Sequence, residues 1–107
     1  MKAKVALQPL MRALVPGDLV AAQGLSAAVA WPHRVEDWHF ALALGQGFAL
    51  EAGGRLVGTA MCWPFGPDWG TLGMVIVAPD LQGRGLGGRL MDAVMAGLGA
   101  RGIQLHA

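Results

Sequence analysis

Tyrosine is absent from the 107 residues, and cysteine occurs once, at Cys62. The first absence removes the phenol group from the proton donors available to this chain. The second excludes an intrachain disulfide, which fits a reducing compartment. Charge is scarce as well. Eight Lys and Arg stand against seven Asp and Glu, so no broad field draws the chain to nucleic acid or anionic lipid, and any anion site has to be local. Long apolar runs are missing too. Leu19 to His33 carries no charge, but Gln23, Gly24, Ser26 and Pro32 interrupt it well short of the ~18 apolar residues of a spanning helix. Lys2 and Lys4 open the chain, yet Gln8, Pro9 and Arg12 come too soon after them for a secretory apolar segment to form. A cytoplasmic protein with no membrane and no nucleic-acid partner is therefore expected. Three His, one Cys and scattered acids show no ligand spacing, so no metal is expected.

What is present is apolar. With 54% hydrophobic and 14% charged residues the composition is that of a folding chain, and its length predicts one domain over residues 1–107. Gln8 to Val15 reads as a first strand, Pro16-Gly17 as a turn and Asp18 as the cap of a helix from Leu19 to Val29, whose Leu19, Ala22, Leu25 and Val29 share one face. A second helix is predicted from Val35 or Glu36 to about Leu44, ended by Gly45 and Gly47. Phe48 to Ala52 and Arg55 to Trp63 flank Gly53-Gly54, a strong hairpin signal, and both faces of the second arm look buried. Pro64 to Gly70 reads as a loop and Thr71 to Val77 as an uncharged strand covered on both sides. Leu86, Leu90, Val94 and Leu98 recur every fourth residue, so a helix is predicted from Gly85 to about Ala100 with Gly102 as its stop. Ile103 to Ala107 reads as the start of another strand.

Chemistry is suggested between that last strand and helix, in Gln82-Gly83-Arg84-Gly85-Leu86-Gly87-Gly88-Arg89. Amides at a helix N-terminus carry a partial positive charge, and glycines let a phosphate approach them without interference from Cβ. Gly83, Gly85 and Gly87 supply bare backbone there, and Arg84 and Arg89 supply mobile positive charge. The plainer reading is a tight turn with Arg89 paired to Asp92. It is disfavoured because four glycines in six residues exceed what a turn requires, and each weakens the first helical turn by up to ~1 kcal/mol. Gly83-x-Gly85-x-x-Gly88 also fits the dinucleotide-binding glycine pattern, but five residues including Pro79 separate it from the strand, and no acid follows Asp92 to hold a ribose.

Gln82-x-x-Gly85-x-Gly87, led in by Val77-Ala78-Pro79-Asp80, resembles the Arg/Gln-x-x-Gly-x-Gly/Ala signature of the GNAT superfamily of N-acetyltransferases. The predicted element order over Gln8 to Ala107 is similar to that family's. The resemblance implies an α/β (α+β) fold with a mixed, mainly antiparallel central sheet flanked by helices, incomplete at the C-terminus. It implies acetyl-CoA as co-substrate, its pyrophosphate on the amides of Gly83 to Gly88 within the loop Gln82, Gly83, Arg84, Gly85, Leu86, Gly87, Gly88. Its pantetheine arm would pair with the backbone of Val75, Ile76 and Val77. The implied reaction is transfer of the acetyl group to a primary amine, on a small molecule or peptide, by direct attack in a ternary complex. A backbone amide in the fourth strand would stabilise the oxyanion. No enzyme nucleophile is needed, which leaves Cys62 a packed strand residue.

Many relatives use a tyrosine beyond this point as acid and some use a glutamate in the fourth strand as base. Neither has a counterpart here, so the catalytic residues are unknown. A noncatalytic acyl-CoA-binding or interaction module is the alternative function. A homodimer completing the sheet is expected. His33 or Glu36, between the two early helices, could position an amine or relay its proton on the acceptor side; otherwise the segment caps a helix with Trp31 and Trp38 packed inward. Asp68 reads as a turn residue.

Overall fold

The computed structural model describes residues 8–103. They form β1 (Leu10–Ala13), α1 (Leu19–Ala28), α2 (Val35–Leu44), β2 (Gln46–Ala52), β3 (Arg55–Phe65), β4 (Trp69–Val77), α3 (Leu86–Leu98) and β5 (Gly102–Ile103). The strands build one sheet in the order β1-β2-β3-β4-β5, antiparallel throughout except for the parallel β4–β5 pair. That is the mixed, mainly antiparallel sheet flanked by helices that the sequence predicts. No helix among the described residues is long and apolar enough to cross a membrane.

The Gly53-Gly54 turn folds β2 onto β3, and both glycines take the positive φ that such a turn demands (59° and 79°). β3 is buried from Val57 to Cys62 because helices cover both of its faces. A Cβ on Gly58 would meet Leu90 of α3, whereas Trp63, on the other face, donates its indole N–H to the Ala41 carbonyl of α2 at 2.8 Å. α1 packs beside α2 on that second face, and Trp38 of α2, fully buried, donates its indole N–H to Ser26 Oγ of α1 at 3.4 Å. On α3 the four residues spaced by four, Leu86, Leu90, Val94 and Leu98, are its buried residues.

Several expectations need correcting. Pro64 to Gly70 is mostly strand: Pro64 pairs with Gly70 and Phe65 with Trp69, leaving only 66–68 as the turn. Proline is tolerated there because β2 begins at Gln46, opposite Cys62, so beyond Cys62 that side of β3 has no partner needing the missing N–H. Asp68 does lie in this turn, and its carbonyl accepts the Gly102 N–H at 2.8 Å. The stop of α3 is Gly99 (φ 66°), whose N–H reaches the Met95 and Ala96 carbonyls; Gly102 instead opens β5.

Asp18 does not cap α1. Its carboxylate turns back to the Val15 N–H (2.9 Å) and receives two hydrogen bonds from Arg12 (both 2.8 Å), and Arg12 also reaches Glu51 on β2. Those hydrogen bonds from Arg12 hold the Asp18 carboxyl below its usual range. β4 is less covered than predicted, with Leu72 to Val75 half-buried. Ile103, where another strand is predicted to start, lies in β5, and residues 104–107 are outside the described residues.

Candidate functional site

β4 breaks its ladder with β3 midway. Gly73 faces Met61 and Ile76 faces Thr59, so Ala60 is opposed by both Met74 and Val75, a bulge in which Met74 takes φ 52°. A non-glycine residue holds that conformation only when its surroundings over-determine it. Here the buried Thr59 hydroxyl donates to the Met74 carbonyl at 2.7 Å. Replacing Thr59 by Val keeps the shape and orphans that carbonyl, so urea unfolding is expected to give a loss of about 1–3 kcal/mol. A loss within error would mean the bulge stands without the hydroxyl.

Past the bulge, Val75 and Val77 alternate with Ile76. The two valines line a groove of about 300 Å3, while the Ile76 side chain is buried in the core. The far wall of the groove is the glycine loop. Gly83 (φ 82°) and Gly85 (φ 79°) are both left-handed, and Gly85 stands at the N-cap of α3 without any side-chain cap. The Arg89 N–H makes the first helical bond, to the Gly85 carbonyl at 3.2 Å, and the amides of Gly83 to Gly88 find no acceptor among the described residues. A Cβ built on Gly83, Gly85, Gly87 or Gly88 would meet nothing within 4 Å. Unpaired donors around open space at a helix N-terminus form an anion cradle.

Side chains in and around the loop make three polar contacts with neighbouring groups. Gln82 donates its side-chain amide to the Val77 carbonyl at 3.1 Å, and Asp80, in the 3-10 turn Pro79–Leu81, is bridged to Arg55. Arg89 donates to the Pro9 carbonyl at 2.9 Å. Arg89 is thus neither the mobile phosphate partner nor the Asp92 partner that the sequence suggests. Of the predicted cofactor residues, Val75, Val77, Gln82, Gly83, Gly85, Leu86 and Gly87 line one groove. Arg84 lines an adjoining cleft, Gly88 is exposed in the first turn of α3, and Ile76 does not line the groove, its side chain being buried in the core. Leu81 also lines the groove, a role that the motif does not reveal; an apolar residue just ahead of a glycine loop is the only signal it carries.

Other chemical groups lie elsewhere. Cys62 is buried, and burial pushes its thiol above the usual range, which suits packing rather than attack. Asp37 accepts the Arg34 N–H at 2.8 Å and pairs with its guanidinium, so the acidic start of α2 serves as a cap. Glu36 is exposed. His33 stands edge-on between the rings of Trp31 (5.6 Å) and Trp38 (6.1 Å), and its Nδ1 is buried without a hydrogen-bond partner. Trp38 is packed inward as expected, whereas Trp31 is 40% exposed. No group of three or more His, Cys, Asp or Glu that could hold a metal occurs among the described residues.

Uncapped glycine amides at a helix start are the arrangement that the signature implies, and the strand before them carries a bulge that it does not; residues 18–107 match the sequence model of the acetyltransferase (GNAT) family. The chain belongs to the GNAT acetyltransferase family. GNAT structures superpose on it closely. A GNAT family acetyltransferase from Brucella melitensis, solved in complex with acetyl-CoA, is 25% identical, with TM-score 0.73, and covers 94% of this chain and 76% of its own. The ribosomal-protein-S18-alanine N-acetyltransferase of Escherichia coli is 24% identical, with TM-score 0.77, over 85% of this chain and 59% of that one. Protein SA2161 of Staphylococcus aureus shares the fold at 17% identity and TM-score 0.80, over 94% and 80% of the two chains. No curated protein sequence matches the chain.

Proposed function

We propose that this GNAT domain binds acetyl-CoA in the groove between the β4 bulge and the glycine loop, and passes the acetyl group to a primary amine that attacks directly. The observation that carries the reading is the cradle of unpaired Gly83 to Gly88 amides on open space, where a diphosphate gains hydrogen bonds and charge compensation together. Val75 and Val77 offer backbone and apolar side chains to the pantetheine arm. Bound acetyl-CoA supplies an activated thioester carbonyl. Backbone released from the ladder at Met74 and Val75 can place an N–H toward the negative charge that develops on the carbonyl oxygen. The described residues lining the groove include no ionisable side chain, so the amine's proton leaves through solvent or through a group outside the groove.

The lack of an ionisable group in the groove also favours a second reading, an acyl-CoA-binding module without turnover. Thiol release from acetyl-CoA, measured with a panel of small amines and peptide N-termini alongside calorimetric binding of coenzyme A, separates the two. Amine-dependent thiol release is the expected result; binding with no release for any amine turns the assignment to the module, and no binding at all overturns both. For the assembly we propose a homodimer, for which exposed Phe40 (70%), Leu44 (61%) and Trp69 (50%) supply apolar surface. Light scattering is expected to return twice the chain mass, and a monomer at all concentrations overturns it.

A further inference from the structure

Asp80 places a carboxylate beside a loop built to attract phosphate. Both of its oxygens are occupied by the guanidinium of Arg55, at 3.0 and 2.9 Å, which reaches across from the start of β3. Arg84, in the glycine loop itself, makes no hydrogen bond or ion pair among the described residues. Arg55, Asp80 and Arg84 line one cleft of about 340 Å3, and this cleft shares Leu81 and Leu86 with the groove below the glycine loop. The three charges therefore face one cleft. Arg55's hydrogen bonds hold the Asp80 carboxyl below its usual range, and the charge of Arg84 acts in the same direction.

Stability is a poor explanation for the bridge. Its side chains are 55% and 59% exposed, and exposed pairs contribute little. Charge allocation explains it better. A carboxylate whose charge is compensated by one guanidinium attracts a second cation only weakly, whereas an unpaired Asp80 would attract Arg84, which lines the same cleft, and draw it away from the loop. We infer that Arg55 is a positioning residue for coenzyme recognition: by occupying Asp80 it leaves the Arg84 guanidinium for the coenzyme's phosphates. This role rests on acyl-CoA being the ligand of the glycine loop.

Allocation and simple bracing predict different things. If the bridge merely braces the loop, removing either partner does the same harm, and removing both does no less. If it allocates charge, Asp80 without Arg55 is harmful and the absence of both is harmless. The measurement is calorimetric Kd for coenzyme A at low and moderate salt, on the full chain, for wild type, Arg55→Gln, Asp80→Asn, the double variant, and Arg84→Gln with and without Arg55→Gln. Thermal melting of each form checks that it is folded.

The expected results are about a fivefold to tenfold weaker Kd for Arg55→Gln at low salt, shrinking as salt rises. Asp80→Asn should bind as tightly as wild type or tighter. The double variant should return to within about twofold of wild type, since two like-sized opposite changes in a surface field cancel. Arg55→Gln should add nothing once Arg84 is gone. Equal losses for Arg55→Gln and Asp80→Asn, without recovery in the double variant, would overturn the inference while leaving the cofactor assignment standing. Wild type that binds no coenzyme A would instead remove that assignment, and the inference with it.

Discussion

Replacing Gly87 by Glu is expected to abolish coenzyme A binding, with Kd weakened about 100-fold or more, while the protein melts within about 4 °C of wild type. The two halves of this result have separate causes. A Cβ at Gly87 meets nothing within 4 Å, and its φ is not in the left-handed region, so the backbone accepts a side chain there. Glutamate also forms helix better than glycine, and a negative charge in the first turn suits the α3 macrodipole. The fold therefore loses nothing. The ligand loses both partners at once: the new carboxylate can take the orphan amides of α3 for itself, and it repels the phosphates. Each like-charge pair at roughly 4 Å costs ~1 kcal/mol in water and ~4 kcal/mol in the half-screened surroundings of a protein surface, which brackets the 100-fold expected. Gly85→Glu should bind as poorly but melt lower. Gly85 sits at φ 79°, where a side chain costs ~1–2 kcal/mol. Calorimetry and thermal melting on the same preparations test both variants, and an unchanged Kd for Gly87→Glu would remove the phosphate from this loop.

The parts of the fold legible in the sequence are those whose signal is contiguous. Gly53-Gly54 between two apolar runs, and Leu86, Leu90, Val94 and Leu98 at one spacing, each state their structure within a dozen residues, and the hairpin and the helix stand where those signals put them. The glycine loop is legible for the same reason, since backbone freedom and helix start are written side by side. What stays hidden depends on residues far apart. Nothing in Thr71 to Val77 announces that Met74 will take a left-handed conformation, because the hydroxyl that binds its carbonyl there belongs to Thr59 on the next strand. Arg12 claims Asp18, Arg55 claims Asp80 and Arg89 claims the Pro9 carbonyl; these partners lie 6, 25 and 80 residues apart, and sequence spacing alone pairs each cap or loop charge with its nearest neighbours instead. Pro64 misleads because proline breaks a strand only where its N–H is needed, and whether β2 extends that far is a property of the sheet.

The largest loss of stability is expected at Trp38, where replacement by Ala should cost about 3–5 kcal/mol. α2 is the reason. It packs little of its surface inward, and Trp38 is its one fully buried residue; Phe40 and Leu44 remain exposed on the same helix. Trp38 is therefore the main anchor of the helix, helped by the half-buried Ala41 and Leu42 and by the Trp63 indole bond to the Ala41 carbonyl. Truncation removes the anchor and leaves a void between α1 and the sheet that neighbouring backbone cannot fill. In a domain of this size ~1 kcal/mol lowers the melting point by about 4–8 °C, so a drop of at least 12 °C is expected.

Trp38→Phe refines the test by keeping most of the volume while deleting the indole N–H to Ser26 Oγ. Ser26 still donates to the Gln23 carbonyl at 2.9 Å, so no hydroxyl is orphaned, and a loss near ~1 kcal/mol is expected. Trp38 also stands edge-on to His33. If Trp38→Ala melts within a few degrees of wild type, α2 is held by something other than this ring, and the α1–α2 surface would have to be regarded as independently docked.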